Sequence, residues 1–122
     1  MAGVKLEVEG FSDPFTGQRT FHWGIDIVAA WGNPVIAPAD GFVLKVRSDK
    51  YLGNSVTLSH GLGITTLFGH LSKISVREGQ KLKRGDVIGN VGATGKALGP
   101  HLHYEVHVND KPVNPYFYLL DE

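Results

Sequence analysis

The sequence contains no cysteine among its 122 residues. Disulfide bonds, thiolate zinc sites and cysteine nucleophiles are therefore excluded, and histidine, aspartate and glutamate remain as the strong metal ligands. The chain has no basic excess that would favour nucleic acid or an anionic membrane surface as a partner, because basic and acidic residues balance at 12 each. No apolar run approaches the roughly 20 residues of a transmembrane helix. The first ten residues lack the long apolar stretch of a signal peptide.

Turn-forming residues are abundant, with 16 glycines and 6 prolines. They separate short segments in which apolar and polar residues alternate, a rhythm typical of an antiparallel all-β domain. The length predicts one domain, and we expect residues 1–10 to be an extension or strand before a single domain over 11–122. The predicted strands are VKLEV, PVIAPADGFVLKVRSD with a break at Pro38–Gly41, NSVTLSH, ITTLFGHL, KISV, DVIGNVG and HLHYEVHV. A short helical turn is predicted near Pro115–Leu120.

The segment HLHYEVHV fits one strand with two different faces, since successive side chains of a strand point to opposite sides. Its apolar face is suited to the core, and its other face carries three imidazoles and one carboxylate. This polar face is either part of a metal site or an ordinary solvated strand surface. The apolar set is Leu102, Tyr104, Val106 and Val108, and the polar set is His101, His103, Glu105 and His107.

Two further segments carry imidazole or carboxylate groups. In FHWGIDI, His22 and Asp26 are four residues apart and share a face on either a strand or a helical turn. His70 follows Gly69 in LFGHLSKI. His22, Asp26 and one histidine of the 101/103 pair would make a three-ligand zinc site with a fourth position for water. The remaining imidazoles are suited to proton transfer, so the set indicates a hydrolase.

The spacing His22-x-x-x-Asp26 followed by His101-Leu102-His103 resembles the lysostaphin-type, or LytM-type, zinc endopeptidases. The likeness extends from about Phe11 to Leu119. It covers the blocks PFTGQRTFHWGIDIVAAWGNPVIAPADGFV, GNSVTLSHGLGITTLFGHLSKISVREGQKLKRGDVIGNVGATGKALGPHLHYEV and PVNPYFYL. The resemblance implies an open antiparallel β-sheet with a groove, of a duplicated hybrid-motif, barrel-sandwich-like architecture.

The family's metal and catalytic roles transfer to five positions of this sequence. By this resemblance His22, Asp26 and His103 bind one zinc ion. His70 and His101 are the catalytic histidines, one moving a proton and the other stabilising the oxyanion, in either order.

Three further positions carry weaker expectations. Glu105 either orients a ligand imidazole from outside the ligand set or is simply solvated. Asn54 either hydrogen-bonds the substrate backbone or shapes a turn. His107 stands where arginine is common in the family.

The resemblance implies a zinc-dependent metalloendopeptidase that cuts peptide cross-links of bacterial peptidoglycan. PFTG…FHWGIDI is similar to the Gram-negative versions, which favours a D,D-endopeptidase over cleavage of glycine bridges. The alternative is a catalytically silent cell-wall-binding or amidase-activator module. A lipoyl- or biotinyl-type carrier domain is less favoured, because the lysine motif it requires is not found. We expect an extracytoplasmic monomer whose export signal is absent from this chain.

Overall fold

The computed structural model describes residues 4–12, 19–95 and 99–113. For residues 4–12, 19–26 and 28 it describes the backbone alone. All the regular structure in these ranges is β. The strands are β1 (Val4–Ser12), β2 (Arg19–Val28), β3 (Pro34–Ile36), β4 (Gly41–Asp49), β5 (Gly53–Ser59), β6 (Ile64–Ile74), β7 (Lys81–Leu82), β8 (Val87–Val91), β9 (His101–Val108) and β10 (Lys111–Val113).

The strands form one open antiparallel sheet, with the order β1-β2-β9-β6-β5-β4-β7 along its main path. β10 joins the sheet through β9, and β3 and β8 pair with each other while β8 also pairs with β6. This arrangement confirms the predicted all-β class and open antiparallel sheet. Within the described residues, no helix is long and apolar enough to cross a membrane.

β9 is the strand around which the candidate site is organised. One of its edges pairs with β6 from Ile64 to Gly69. Its other edge pairs first with β2 and then with β10. The strand that carries the His-x-His pair therefore lies inside the sheet, with its backbone hydrogen-bonded on both edges.

The core lies on the apolar faces of these strands, as alternation predicts. Leu102, Tyr104 and Val106 of β9 are buried in one cluster with side chains of β4, β5, β6 and β8. Tyr104 packs against Phe68, with 5.2 Å between ring centroids. Burial raises the pKa of Tyr104 to about 12, so its hydroxyl stays protonated at neutral pH.

The predicted boundary between ITTLFGHL and KISV is wrong, because a single strand, β6, runs from Ile64 to Ile74. Its pairing passes from β9 to β8 between Gly69 and Leu71, and its register with β8 then shifts between Leu71 and Lys73. A local irregularity thus allows β6 to pair with β9 along one part of its length and with β8 along the next. FHWGIDI, left open between strand and helical turn, lies within β2. The helical turn predicted near 115–120 lies outside the described residues.

The core makes a quantitative prediction about two leucines. Leu58 is 0% exposed, whereas Leu62 is 95% exposed in a turn. Leu58→Ala should lower the free energy of unfolding by about 2–5 kcal/mol, because it leaves a cavity among buried side chains. The same change at Leu62 should stay within about 0.5 kcal/mol of the parent protein. Urea unfolding measures both, and equal losses would contradict the described core.

Candidate active site

Three imidazole rings converge at one end of the β6–β9 pair. The ring centroid of His70 lies 4.8 Å from that of His101 and 5.9 Å from that of His103, both in edge-to-face arrangements. His103 lies directly opposite Gly69 in the β6–β9 ladder. A cluster of this kind can move protons and bind a cation near neutral pH.

The backbone of β6 departs from regular strand geometry at His70. Its φ is +61°, in the left-handed region that non-glycine residues rarely adopt. In a regular strand, the side chain of His70 would point to the face of the sheet opposite to that of Gly69 and its partner His103. The left-handed residue breaks that alternation beside His101 and His103. Backbone strain of this sort is concentrated at functional sites in proteins.

Two loop carbonyls hold His70 in this conformation. Its backbone N–H donates to the carbonyl of Leu52, with an N···O distance of 2.6 Å. Its Nδ1 lies 2.7 Å from the carbonyl oxygen of Thr94. Because a carbonyl only accepts, Nδ1 carries the hydrogen, and the lone pair of the neutral ring is on Nε2.

The loops that supply these carbonyls pack closely on each other. Gly53 and Gly95 both have positive φ, and a Cβ on Gly53 would overlap Thr94. The hydroxyl of Thr94 donates to the Leu71 carbonyl at 2.8 Å and accepts the backbone N–H of Asn54 at 3.1 Å. Gly53 and Gly95 therefore permit a tight contact between the two loops, and this contact positions His70.

The two histidines of the His-x-His pair are held through different ring nitrogens. Nδ1 of His101 donates to the Gly99 carbonyl at 2.8 Å, which leaves the lone pair of its neutral ring on Nε2. Nε2 of His103 lies 2.7 Å from Oε2 of Glu105. A carboxylate accepts, so Nε2 of His103 carries the hydrogen, and the lone pair of its neutral ring is on Nδ1.

Glu105 is buried, at 6% exposure, so the interpretation of this residue as a solvated glutamate is wrong. Its second oxygen, Oε1, accepts a hydrogen bond from Nε2 of His107 at 2.9 Å. Burial by itself would raise the pKa of Glu105, but hydrogen bonds from His103 and His107, together with their charges, lower it to about 2. The carboxylate is therefore ionised at neutral pH and bridges two imidazoles.

For His22 and Asp26 the structure gives backbone position. Asp26 is the direct partner of His103 in the β2–β9 ladder. Residues paired in this way are the closest neighbours across adjacent strands. His22 lies beyond that ladder and pairs with Glu9 of β1. Within the part of the chain that the structure describes, no three His, Cys, Asp or Glu residues are arranged to hold a metal.

Asn54, a predicted substrate contact or turn residue, is engaged within the protein. Its side-chain amide donates to the Leu71 carbonyl at 3.0 Å, which ties β5 to the bulged part of β6. Sequence reasoning missed Thr94 and Leu52, because both act through backbone carbonyls and a carbonyl leaves no residue-type signal. The paired glycines near both positions were the available clue.

A groove of about 260 Å³ lies on the sheet and has His107 among its lining residues. It begins at His107 and crosses β6 and β5 toward Lys45 and Arg47 of β4. Its floor is formed by Ser55, Thr57, Thr65 and Leu67. Leu67 is paired with Glu105, so the groove shares the polar face of β9. Leu52, whose carbonyl accepts the backbone N–H of His70, also lines this groove.

Comparison with known families finds one match over most of the chain. The model of peptidase family M23 matches residues 20–115. Among curated proteins, DD-carboxypeptidase/endopeptidase Mpg of Neisseria meningitidis serogroup B is 50% identical over 95 residues, covering 77% of this chain and 22% of the relative. Peptidoglycan DD-endopeptidase ShyA of Vibrio cholerae is 46% identical over 101 residues, covering 83% and 24%. This chain thus spans about a quarter of these relatives' length.

Solved structures show the same fold. The catalytic domain of the antimicrobial peptidase lysostaphin from Staphylococcus simulans superposes with a TM-score of 0.80 at 27% identity, covering 95% of this chain and 90% of that one. A zinc-containing peptidase from Vibrio cholerae gives 0.75 at 39% identity, covering 89% and 35%. The lysostaphin match extends over nearly the whole of both chains, so the open sheet described above is the fold of that domain.

The role of Thr94 makes a prediction about stability. Thr94→Val removes the hydroxyl and both of its hydrogen bonds, and it should cost about 1–3 kcal/mol because the partners are part-buried. Thr94→Ser keeps the hydroxyl and should recover most of this loss. Urea unfolding measures the three proteins. A Val variant as stable as the parent protein would contradict a positioning role for this hydroxyl.

Proposed function

Because the chain belongs to peptidase family M23, we propose that it is a zinc-dependent metalloendopeptidase that hydrolyses peptide cross-links of bacterial peptidoglycan. The observation that carries the proposal is the convergence of His70, His101 and His103 at one end of the β6–β9 pair. The names of the relatives support peptidoglycan as the substrate, and they favour D,D-endopeptidase activity over cleavage of glycine bridges.

We propose that His22, Asp26 and His103 hold one zinc ion. Imidazole and carboxylate groups are donors that zinc accepts readily. The register of Asp26 opposite His103 supports this set. So does the bond from Nε2 of His103 to Glu105, because it leaves Nδ1 as the nitrogen whose lone pair can bind a metal. Zinc, when bound, supplies a Lewis acid that activates water and polarises the scissile carbonyl.

The chain's own part in the reaction falls to His70 and His101. Each ring donates from Nδ1 to a backbone carbonyl, so each works at Nε2. One neutral ring takes a proton from the attacking water there and passes it to the leaving amine. The other, carrying a proton on Nε2, donates to the oxyanion, a contribution typically worth about 3–4 kcal/mol for one donor. Either histidine can take either role.

The alternative of a silent wall-binding or activator module is less favoured, because all five metal and catalytic positions carry the required residue types. We keep residues 11–122 as one endopeptidase domain. Peptidoglycan lies outside the cytoplasm, so this substrate implies extracytoplasmic action. A monomer with one zinc ion completes the proposal.

The two histidines of the His-x-His pair should respond differently to substitution. His101→Ala should keep stoichiometric zinc and lose activity, because His101 acts on protons. His103→Ala should lose both, because it removes a ligand. Metal analysis of the purified variants and a peptidoglycan digest measure the two effects. The opposite pattern, with zinc lost from His101→Ala and kept by His103→Ala, would reverse the assignment.

The substrate can be tested with two purified peptidoglycans, one cross-linked through glycine bridges and one through D-alanyl–diaminopimelate bonds. We expect fragments from the second polymer, and we expect a zinc chelator to abolish them. Mass spectrometry of the fragments identifies the bond that is cut. A zinc-loaded protein that cleaves neither polymer would favour the activator module instead.

A further inference from the structure

We propose that His107 is a positioning residue, the outer link of a chain His107–Glu105–His103 that fixes which ring nitrogen His103 presents to the metal. The inference rests on the proposed function, because it assigns His103 as a zinc ligand. It adds a residue outside the ligand and catalytic sets.

The chain consists of two short hydrogen bonds to the two oxygens of one carboxylate. Oε2 of Glu105 lies 2.7 Å from Nε2 of His103, and Oε1 lies 2.9 Å from Nε2 of His107. The side chains of His103 and Glu105 are 4% and 8% exposed, whereas that of His107 is 22% exposed. The chain therefore runs from the edge of the groove into the protein.

Each imidazole constrains a different degree of freedom. A buried carboxylate held at one oxygen can still rotate about its terminal torsion, which is broad and roughly two-fold. The bond from His107 to Oε1 blocks that rotation and keeps Oε2 against His103. The bond to His103 then selects the tautomer with hydrogen on Nε2. Partners of metal-binding histidines act on metal affinity in this way.

The position of His107 in the sheet makes this bracing effective. The backbone of His107 pairs with Thr65 of β6 on one side and Pro112 of β10 on the other. Its Cα is therefore fixed from both edges of β9. The three side chains are spaced two residues apart on one strand, so they share one face. The imidazole thus braces Glu105 from a rigid backbone position.

The test measures zinc affinity and the ring state of His103 separately. Zinc dissociation constants come from competition with a chromophoric chelator. The His103 tautomer comes from nitrogen-15 NMR of the zinc-free protein. Glu105→Gln should weaken zinc binding by about 10–100-fold. His107→Ala should weaken it by a smaller factor, roughly 3–10-fold, and should populate the second tautomer of His103, because it acts through Glu105.

Matched variants separate positioning from general damage. His107→Gln keeps an N–H donor at a similar reach and should restore affinity to within about twofold of the parent. His107→Leu keeps the volume without a donor and should behave like His107→Ala, which covers the case in which the alanine variant fails to fold. Thr65→Ala removes the neighbouring groove side chain without touching Glu105, and it should bind zinc like the parent.

A double variant decides whether His107 acts through Glu105. With Glu105→Ala already present, His107→Ala should cause no further loss of zinc affinity, since coupled residues are not additive. Unchanged zinc affinity and an unchanged His103 tautomer in His107→Ala and His107→Leu would overturn the inference. A parent protein that binds no zinc would instead contradict the proposed function, and the tautomer measurement would still decide the role of His107.

Discussion

His103 and Glu105, in the middle of the polar face of β9, are buried, and this constraint shapes the site. His103 and Glu105 are 3% and 6% exposed, so their polar atoms must find hydrogen-bond partners within the protein. An unsatisfied buried carboxylate would cost more than the net gain of an ordinary hydrogen bond. Glu105 meets this requirement with one imidazole on each oxygen. The same two hydrogen bonds also fix the ring orientations of His103 and His107. One arrangement therefore satisfies the buried charge and organises the site.

A second constraint acts on the neighbouring strand. β6 pairs with β5, β9 and β8, and its pairing passes from β9 to β8 between Gly69 and Leu71. His70 lies between these two residues, at the change of neighbour, with φ of +61°. Bonds to carbonyls of residues 52 and 94 offset the strain of that conformation. The position where β6 changes its partner strand is therefore also the position of His70, the third imidazole of the cluster.

The site is assembled from three adjacent strands that are far apart in sequence. β2 brings Asp26 opposite His103, and β6 brings Gly69 opposite the same residue from the other edge. Gly69 has no side chain, and this absence lets the Leu52 side chain pack closely over β6, with Cδ2 only 3.1 Å from where a Cβ would lie. A rigid sheet with a groove across one face is suited to binding an extended peptide beside fixed catalytic groups. The fold of the family positions the strands, and the clustered histidine side chains provide the groups that can bind a metal and move protons.

The sequence by itself determined the strand class and the two-faced character of HLHYEVHV, because alternation at period two is a local property of the chain. The motif resemblance also indicated the five metal and catalytic positions. For two of them, His22 and Asp26, the structure describes the backbone alone. Tertiary structure alone decided that His103 and Glu105 are buried, that His70 leaves regular strand geometry and that His107 contacts Glu105. Each of these depends on which strands become neighbours and where their registers shift. Such pairing depends on contacts between distant segments, and the local periodicity of a single strand does not specify its neighbours.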